Sequence, residues 1–390
     1  MGQKHIILRG SQPSTRDRMG GAIPFDVSPP EVSVEVADLS RKELSSVTRE
    51  RDVVAVAPAV PMKLIEPKET GNATPAAGGT AWGVSAVGAD TSPFTGNGIV
   101  VAVLDTGIDA AHPAFAGVNV VQKDFTGEGD GDSHGHGTHC AGTIFGRDVA
   151  GMRIGVARGA NKALIGKVLG ANGGSSDSIV NAIQWAAQNG ANVISMSLGM
   201  DFPGLVERLI GQGLPAPLAT SRALEGYRLN VQLFERLAAL IRASSEFSQP
   251  TLIIAAAGNE SERQINPDFE IAVSPPAVSD GIVSVAALGE DPGGFIVATF
   301  SNTGANISGP GVNIVSAKAG GGLATMSGTS MACPHVAGVA ALWAEKVKAM
   351  GPFTTAHVTH RLLASGVTEK MKTGFDAFDI GTGMVRAPQA

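Results

Sequence analysis

The sequence predicts an α/β protein: a doubly wound, mainly parallel sheet with helices on both faces, preceded by a small α+β domain. Three observations lead there. Apolar runs at 99–104, 163–169, 191–198, 251–257 and 281–288 each end in a Gly- or Asp-containing turn and give way to a helical stretch, the alternation of a parallel sheet. Residues 66–80 carry almost no large apolar side chain and read as a linker between two units. The 390 residues include 51 glycines and only 16% charged side chains, which suits a large folded core with many tight turns.

In chain order, residues 4–9 form a short strand, followed by a Pro/Gly-broken loop to about residue 30. Val32, Val34 and Val36 alternate with Ser33 and Glu35, the pattern of a half-buried strand. Ser40 and Glu43 are spaced as a capping box and open a short helix with Leu44 and Val47 on one face. A strand at 52–58 completes a self-contained β-α-β unit. The predicted domains are therefore 1–70, a linker at 71–80, and 81–390.

Several classes are disfavoured. A net charge of -6 with no basic cluster argues against nucleic-acid binding. The longest apolar runs, such as 336–344, are too short to span a bilayer. The first ten residues lack the apolar core of a signal peptide, and Gly2 lacks the context for a lipid anchor. The cytoplasm is favoured on that basis, with export by another route left open. Cys140 and Cys333, the only cysteines, fit a reducing compartment and read as small buried hydrophobes, with a thiol nucleophile as the alternative.

Four stretches carry candidate chemistry. Gly328-Thr329-Ser330 runs into helical spacing (Ala332, Val336, Ala340, Trp343), with Pro334 placed in the first turn. Ser330 is thus either a helix cap or a nucleophile on a rigid support beside free N–H groups. Asp105 ends an apolar strand, where a carboxylate either caps the Thr-Gly turn or orients an imidazole. His134, His136 and His139 fall within six positions. They begin a His-x-His-x-x-His metal-hydrolase pattern, but with Thr138 where that pattern carries Asp, and the other reading makes His136 a general base. Asn259 follows Gly258 at a strand end, as turn chemistry or as an amide aimed at an oxyanion.

With these segments in hand, the chain resembles the subtilisin-like serine proteases (subtilases). The matching motifs are Leu-Asp105-Thr-Gly-Ile, His136-Gly-Thr-His-Cys-Ala-Gly, Ala-Ala-Gly-Asn259-Glu and Gly-Thr-Ser330-Met-Ala-Cys-Pro-His-Val-Ala-Gly, in the family order Asp, His, Ser. Weaker matches at 167–170, 195–199 and 381–387 extend the likeness to residues 81–388, and the His-Gly-Thr-His-Cys variant is nearest the proteinase K branch. The resemblance implies a serine endopeptidase with Asp105, His136 and Ser330 as triad and Asn259 in the oxyanion hole. It also implies that Ser197, Leu198 and Gly199, with the strand segment Ala256, Ala257 and Gly258, wall an apolar specificity pocket. Gly173, Gly174 and Ser175 would pair with substrate backbone.

The implied partners are protein or peptide substrates and the chain's own N-terminal domain, an intramolecular inhibitor removed by autoprocessing within 71–80. No metal is assigned to the site and no cofactor is required. A structural calcium stays open, although Ala114 and residues 147–153 lack the expected oxygen ligands. Residues 200–223 read as an insertion, a lid or rim over the cleft, before a helix marked by Leu224, Leu229, Leu237 and Leu240. Asp124, Glu128, Asp130 and Asp132 read as a solvated acidic loop. A catalytically silent binding protein of the same fold and a metal-dependent hydrolase using the histidine cluster are the alternatives.

Overall fold

The computed structural model describes residues 2–10, 32–72 and 78–390, so the loop read over 11–30 and the middle of the linker lie outside the described residues. The N-terminal unit is a three-stranded antiparallel sheet with β1 (Gln3–Gly10) between β2 (Val32–Leu39) and β3 (Val53–Pro58). The intervening α1 (Arg41–Val47) carries the expected capping box: the Ser40 hydroxyl accepts from Glu43 N, and Ser40 N donates to the Glu43 carboxylate. The β-α-β unit is real but split, because β1 inserts between its two strands. It is not self-contained. Ile6, Leu8 and Ala57 join Leu233, Phe234 and Leu237 in one apolar layer, since one face of a three-stranded sheet has too little area to close a core alone.

Beyond it the chain forms β4 (Pro61–Leu64), β5 (Glu69–Asn72), β6 (Gly79–Thr80) and α2 (Trp82–Ala86). Two strands thus fall inside the stretch read as a linker. Backbone pairing makes them, which needs no large side chains: β5 lies antiparallel to β19 (Leu323–Ser327).

The central sheet has the order β16-β15-β14-β12-β7-β10-β8. Its strands are β7 (Val100–Asp105), β8 (Asn119–Asp124), β10 (Lys162–Lys167), β12 (Val193–Met196), β14 (Leu252–Ala256) and β15 (Ile282–Asp291), all parallel, with antiparallel β16 (Gly294–Val297) at one edge. The short β17 (Ile307–Pro310) also pairs with β15. Side chains alternate between the two faces: Val101 and Val103 enter one apolar layer, Ala102 and Leu104 the other. The first layer is covered by α3 (His136–Phe145) and α7 (Thr329–Met350), the second by α4 (Ser176–Gln188) and α6 (Ala216–Ser244). Peripheral pieces are β9 (Met152–Arg153), β11 (Gly174–Ser175), β13 (Leu198–Met200), α5 (Phe202–Gly211), β18 (Ile314–Ala317), α8 (Thr355–Leu363) and α9 (Ala377–Ile380). No helix among the described residues is long and apolar enough to cross a membrane.

The insertion is α5 plus the first turns of α6. That helix starts at Ala216, earlier than its leucines indicate, and Leu224 is 54% exposed. Its buried face is instead small (Ala219, Ala223, Gly226) before it widens to Leu233 and Phe234, which lets the N-terminal unit lie close. Asn230 Nδ2 donates to Pro58 O at 2.9 Å, fixing the end of β3 on α6.

Candidate active site

Asp105 ends the apolar β7 and is 1% exposed. Its Oδ1 accepts from Thr106 N and from His136 Nδ1, each at 2.8 Å, which pays the cost of burying the charge. His136 is the first residue of α3, after Gly135 at φ 93°. That helix start can come this close to the end of β7 because residue 137 is glycine. A Cβ on Gly137 would overlap the Gly107 carbonyl oxygen. Burial pushes the His136 imidazole down, but the Asp105 carboxylate beside it outweighs this and holds it well above the ordinary histidine value.

Asp132 ties the same two elements from below. Its Oδ1 accepts from Thr106 Oγ1 and Gly135 N, and its Oδ2 from Thr138 N and Thr138 Oγ1. Thr106 Oγ1 in turn accepts from Gly137 N at 2.9 Å. Burial raises this carboxyl, yet the hydrogen bonds from Thr138, Gly135 and Thr106 prevail and leave it below the usual range. Asp132 is therefore no part of a solvated loop. Asp124 is held locally by Thr126 and Gly129, and Glu128 by Ala171 N with Lys167 Nζ 3.4 Å away.

Ser330 is the second residue of α7, supported by the extended Gly328. Pro334 lies in the second turn rather than the first, so it takes the intrahelical donor away from Ser330 O. Ser197 Oγ (3.1 Å) and Cys140 Sγ (3.3 Å) donate to that carbonyl instead. Asn259 is oriented by Thr329, whose N–H and hydroxyl donate to its Oδ1 at 2.8 and 2.9 Å. That leaves the Nδ2 group facing the cleft, in the space that the missing side chain of Gly328 provides.

The cleft is filled by the chain itself. β4 lies between β11 and β13 as the middle strand of a three-stranded antiparallel sheet, with Met62 opposite Gly174, and Lys63 and Leu64 opposite Gly199 and Leu198. Ile65, 2% exposed, follows at Ser330, and a Cβ on Gly199 would come 3.6 Å from its side chain. The Ser330 hydroxyl donates to Ile65 O at 2.9 Å, and Asn259 Nδ2 donates to the next carbonyl, Glu66 O, also at 2.9 Å. Among the described residues His136 Nε2 has no hydrogen-bond partner, and the Ser330 hydroxyl proton is directed at Ile65 O. Past the serine, Lys68 N donates to Ser327 O.

Residues 96–377 match the profile of the Subtilase family (Peptidase_S8). The chain belongs to the subtilase family. It is 35% identical over 288 residues to the M-protease of Shouchella clausii (strain KSM-K16), covering 72% of this chain and 63% of that one. A subtilisin-like protease of Coccidioides posadasii (strain C735) is 35% identical over 289 residues, 72% of this chain and 60% of its own. The subtilisin-like serine protease Pen c 1 of Penicillium citrinum is 33% identical over 314 residues, 74% and 65% of the two chains. Each match thus spans less than two-thirds of the relative's length.

Within this subtilase, Gly173 (φ 80°), Gly174 and Ser175 flank β4 as an added-strand edge, and Leu198 and Gly199 form the opposite edge. Ser197 serves Ser330 O. Ala257 and Gly258 sit behind Asn259, the first bonded to Val285 O, the second to Thr329 Oγ1. The histidine cluster does not converge as a donor set. His139 Nε2 lies on Ile314 O and Ala324 O, and burial takes that imidazole down to about 3. The His134 ring stands edge-on to that of His136, their centroids 6.3 Å apart. Among the described residues, the one group with donors close enough for an ion is Asp105, His136 and Cys140, the site itself. Burial pushes the Cys140 thiol up and the Cys333 thiol to about 12, so neither is primed as a nucleophile. Thr106, Thr329, Asp132 and the Ile65–Glu66 pair escaped the sequence reading. The spacing of Asp132 four residues before His136 was the only local signal among them.

Proposed function

We propose that this subtilase is a serine endopeptidase made as a zymogen, with Asp105, His136 and Ser330 as its triad and Asn259 in its oxyanion hole. The observation that carries the reading is the strand at 61–66. It lies in the cleft as a peptide substrate would, and brings a backbone carbonyl to the Ser330 hydroxyl. Ser330 Oγ attacks a carbonyl carbon and passes its proton to His136 Nε2. Asp105 holds the proton on Nδ1 and stabilises the imidazolium, which then protonates the leaving amine; water later releases the acyl group. The Asn259 amide and the Ser330 N–H at the start of α7 stabilise the oxyanion.

In the resting chain these two functions fall on different carbonyls, Ile65 for the hydroxyl and Glu66 for the amide, so the strand inhibits while it is held this way. The bond presented is Ile65–Glu66, upstream of the 71–80 stretch expected to be processed. Ile65 beside Gly199 favours an apolar residue ahead of the cut. The mechanism routes no step through a metal ion. In the loop at 147–153, the Arg147 guanidinium donates to Phe145 O and Asn161 Oδ1.

The test is a fluorophosphonate label together with hydrolysis of a denatured protein, comparing the wild-type chain after incubation with Ser330→Ala. Label and proteolysis in the first and neither in the second support the reading. Label-free, inactive wild type after removal of residues 1–68 would sink it and leave the silent binding protein.

A further inference from the structure

We propose that the cleft carries an acidic subsite that selects a basic side chain at the third residue before the cut, formed by Asp201 and Glu260. The proposal rests on the peptidase reading above. The strand held in the cleft supplies the ligand that defines the subsite. With Ile65 at Ser330, the third residue back is Lys63, directly opposite Gly199 in the β4–β13 ladder. Gly199 puts no side chain opposite the lysine. Two positions on, Asp201 lies on the same face as the diagonal neighbour of Lys63, the separation at which cross-strand charges meet. Lys63 Nζ is 3.4 Å from Asp201 Oδ1 and 3.9 Å from Glu260 Oε1.

Both carboxylates have fixed positions. Asp201 is the N-cap of α5 and accepts from Gly204 N, while its own N–H donates to Pro61 O of the occupying strand. It is therefore a residue of the rim and lies at the start of the insertion. Glu260 follows Asn259, its N–H bonded to Asn302 Oδ1 and its carboxylate to Asn302 Nδ2. The two acids reach the ammonium from opposite elements, the pocket strand and the loop that bears Asn259. The insertion thus contributes to selection through Asp201, the N-cap of its first helix, with α5 and α6 anchoring the chain that follows. The substrate class is a peptide with an aliphatic residue at the cut and Lys or Arg two positions earlier.

The test uses N-acetyl-Met-Lys-Leu-Ile p-nitroanilide and its Gln and Glu counterparts at the second position, hydrolysed by the full chain incubated to constant activity. The expected order of kcat/KM is Lys, then Gln, then Glu, with Lys over Gln by about three- to tenfold, the size that partly exposed ion pairs supply. The ratio shrinks toward one at 1 M salt and in Asp201→Asn with Glu260→Gln. Equal rates on the Lys and Gln peptides, or a Lys preference that survives both substitutions, overturn the acidic subsite alone. Hydrolysis of none of the three, with no fluorophosphonate label, overturns the peptidase reading and the subsite with it.

Discussion

The Ser330 hydroxyl is hydrogen-bonded to the carbonyl of Ile65, 265 positions earlier in the chain, at 2.9 Å. A hydroxyl that donates its proton to a carbonyl oxygen does not donate it to an imidazole, and His136 Nε2 is without a partner among the described residues; on the proposed mechanism the two facts describe one resting state. Incubation of the wild-type chain should yield a new N-terminus at Glu66, read by terminal sequencing, and Ser330→Ala should keep its original terminus. A first cut elsewhere in the wild type would mean that the held strand is not the processed one.

Release of that strand should depend on Ile65. Its side chain is buried against Gly199, and truncation to Ala removes apolar contact worth about 2 kcal/mol or more, near thirtyfold in docking. Ile65→Ala should therefore gain activity sooner than wild type in a progress curve, with an unchanged final rate per labelled serine. A lag equal to that of the wild type would place the holding energy elsewhere, in the contacts of α6 with β3.

On the proposed mechanism, the oxyanion donor depends on a neighbour. Thr329 is the only residue whose two groups hold Asn259 Oδ1 among the hydrogen bonds described, so Thr329→Val frees the amide to rotate. Losing one such bond costs about 1 kcal/mol, and kcat should fall about fivefold with KM little changed. Asn259→Ala removes the donor itself and should lower kcat by about 10²–10³, the loss known for subtilisin, a member of this family. Equal effects of the two substitutions would show that Thr329 does more than orient the amide.

The local settings of Asp105, His136, Asn259 and Ser330 were legible because short-range sequence dictates them: a strand end, two helix starts and a Gly-Asn turn. The alternation of Val101 and Val103 with Ala102 and Leu104 likewise made the two-faced sheet readable from spacing alone. What escaped is tertiary. Nothing near Ile65 announces that it will lie on Ser330, and the linker-like composition of 66–80 concealed a backbone edge that β19 would pair. Asp132 looked solvated because Thr106, its partner 26 positions away, is invisible to a local reading. Pro334 lies one turn further into α7 than its spacing suggests, and the donors that replace its missing N–H come from α3 and from Ser197.

The acid limb of the pH–rate profile should lie above the ordinary histidine range near 6.5. Asp105 raises the His136 imidazole, and a general base works only when neutral, so activity should climb as pH rises through the raised value. The same shift acts oppositely on stability. The His136–Asp105 pair contributes fully below the unfolded histidine value and loses its contribution as pH passes the folded one. Asp105→Asn should move the limb of kcat/KM back toward 6.5 while lowering its plateau; a limb that stays put would remove Asp105 as the cause.

Asp132 should show the reverse dependence. Its carboxyl is depressed in the folded chain, so its contribution to stability is present above the unfolded aspartate value, about 3.9, and disappears as pH falls through the folded value. Asp132→Asn keeps the shape but puts an amide donor where Thr138 N and Oγ1, or Thr106 Oγ1 and Gly135 N, now donate. Two facing donors cannot both be satisfied, so the start of α3 must move away from β7 and His136 must move with it. The expected result is a lower Tm at pH 7, by a gap from wild type that narrows below pH 4 as the native carboxyl also protonates. Because Asp132 touches no substrate, its second signature is a loss in kcat that exceeds any rise in KM. A Tm gap constant from pH 7 to 3 would show that the residue acts through shape and not through its charge.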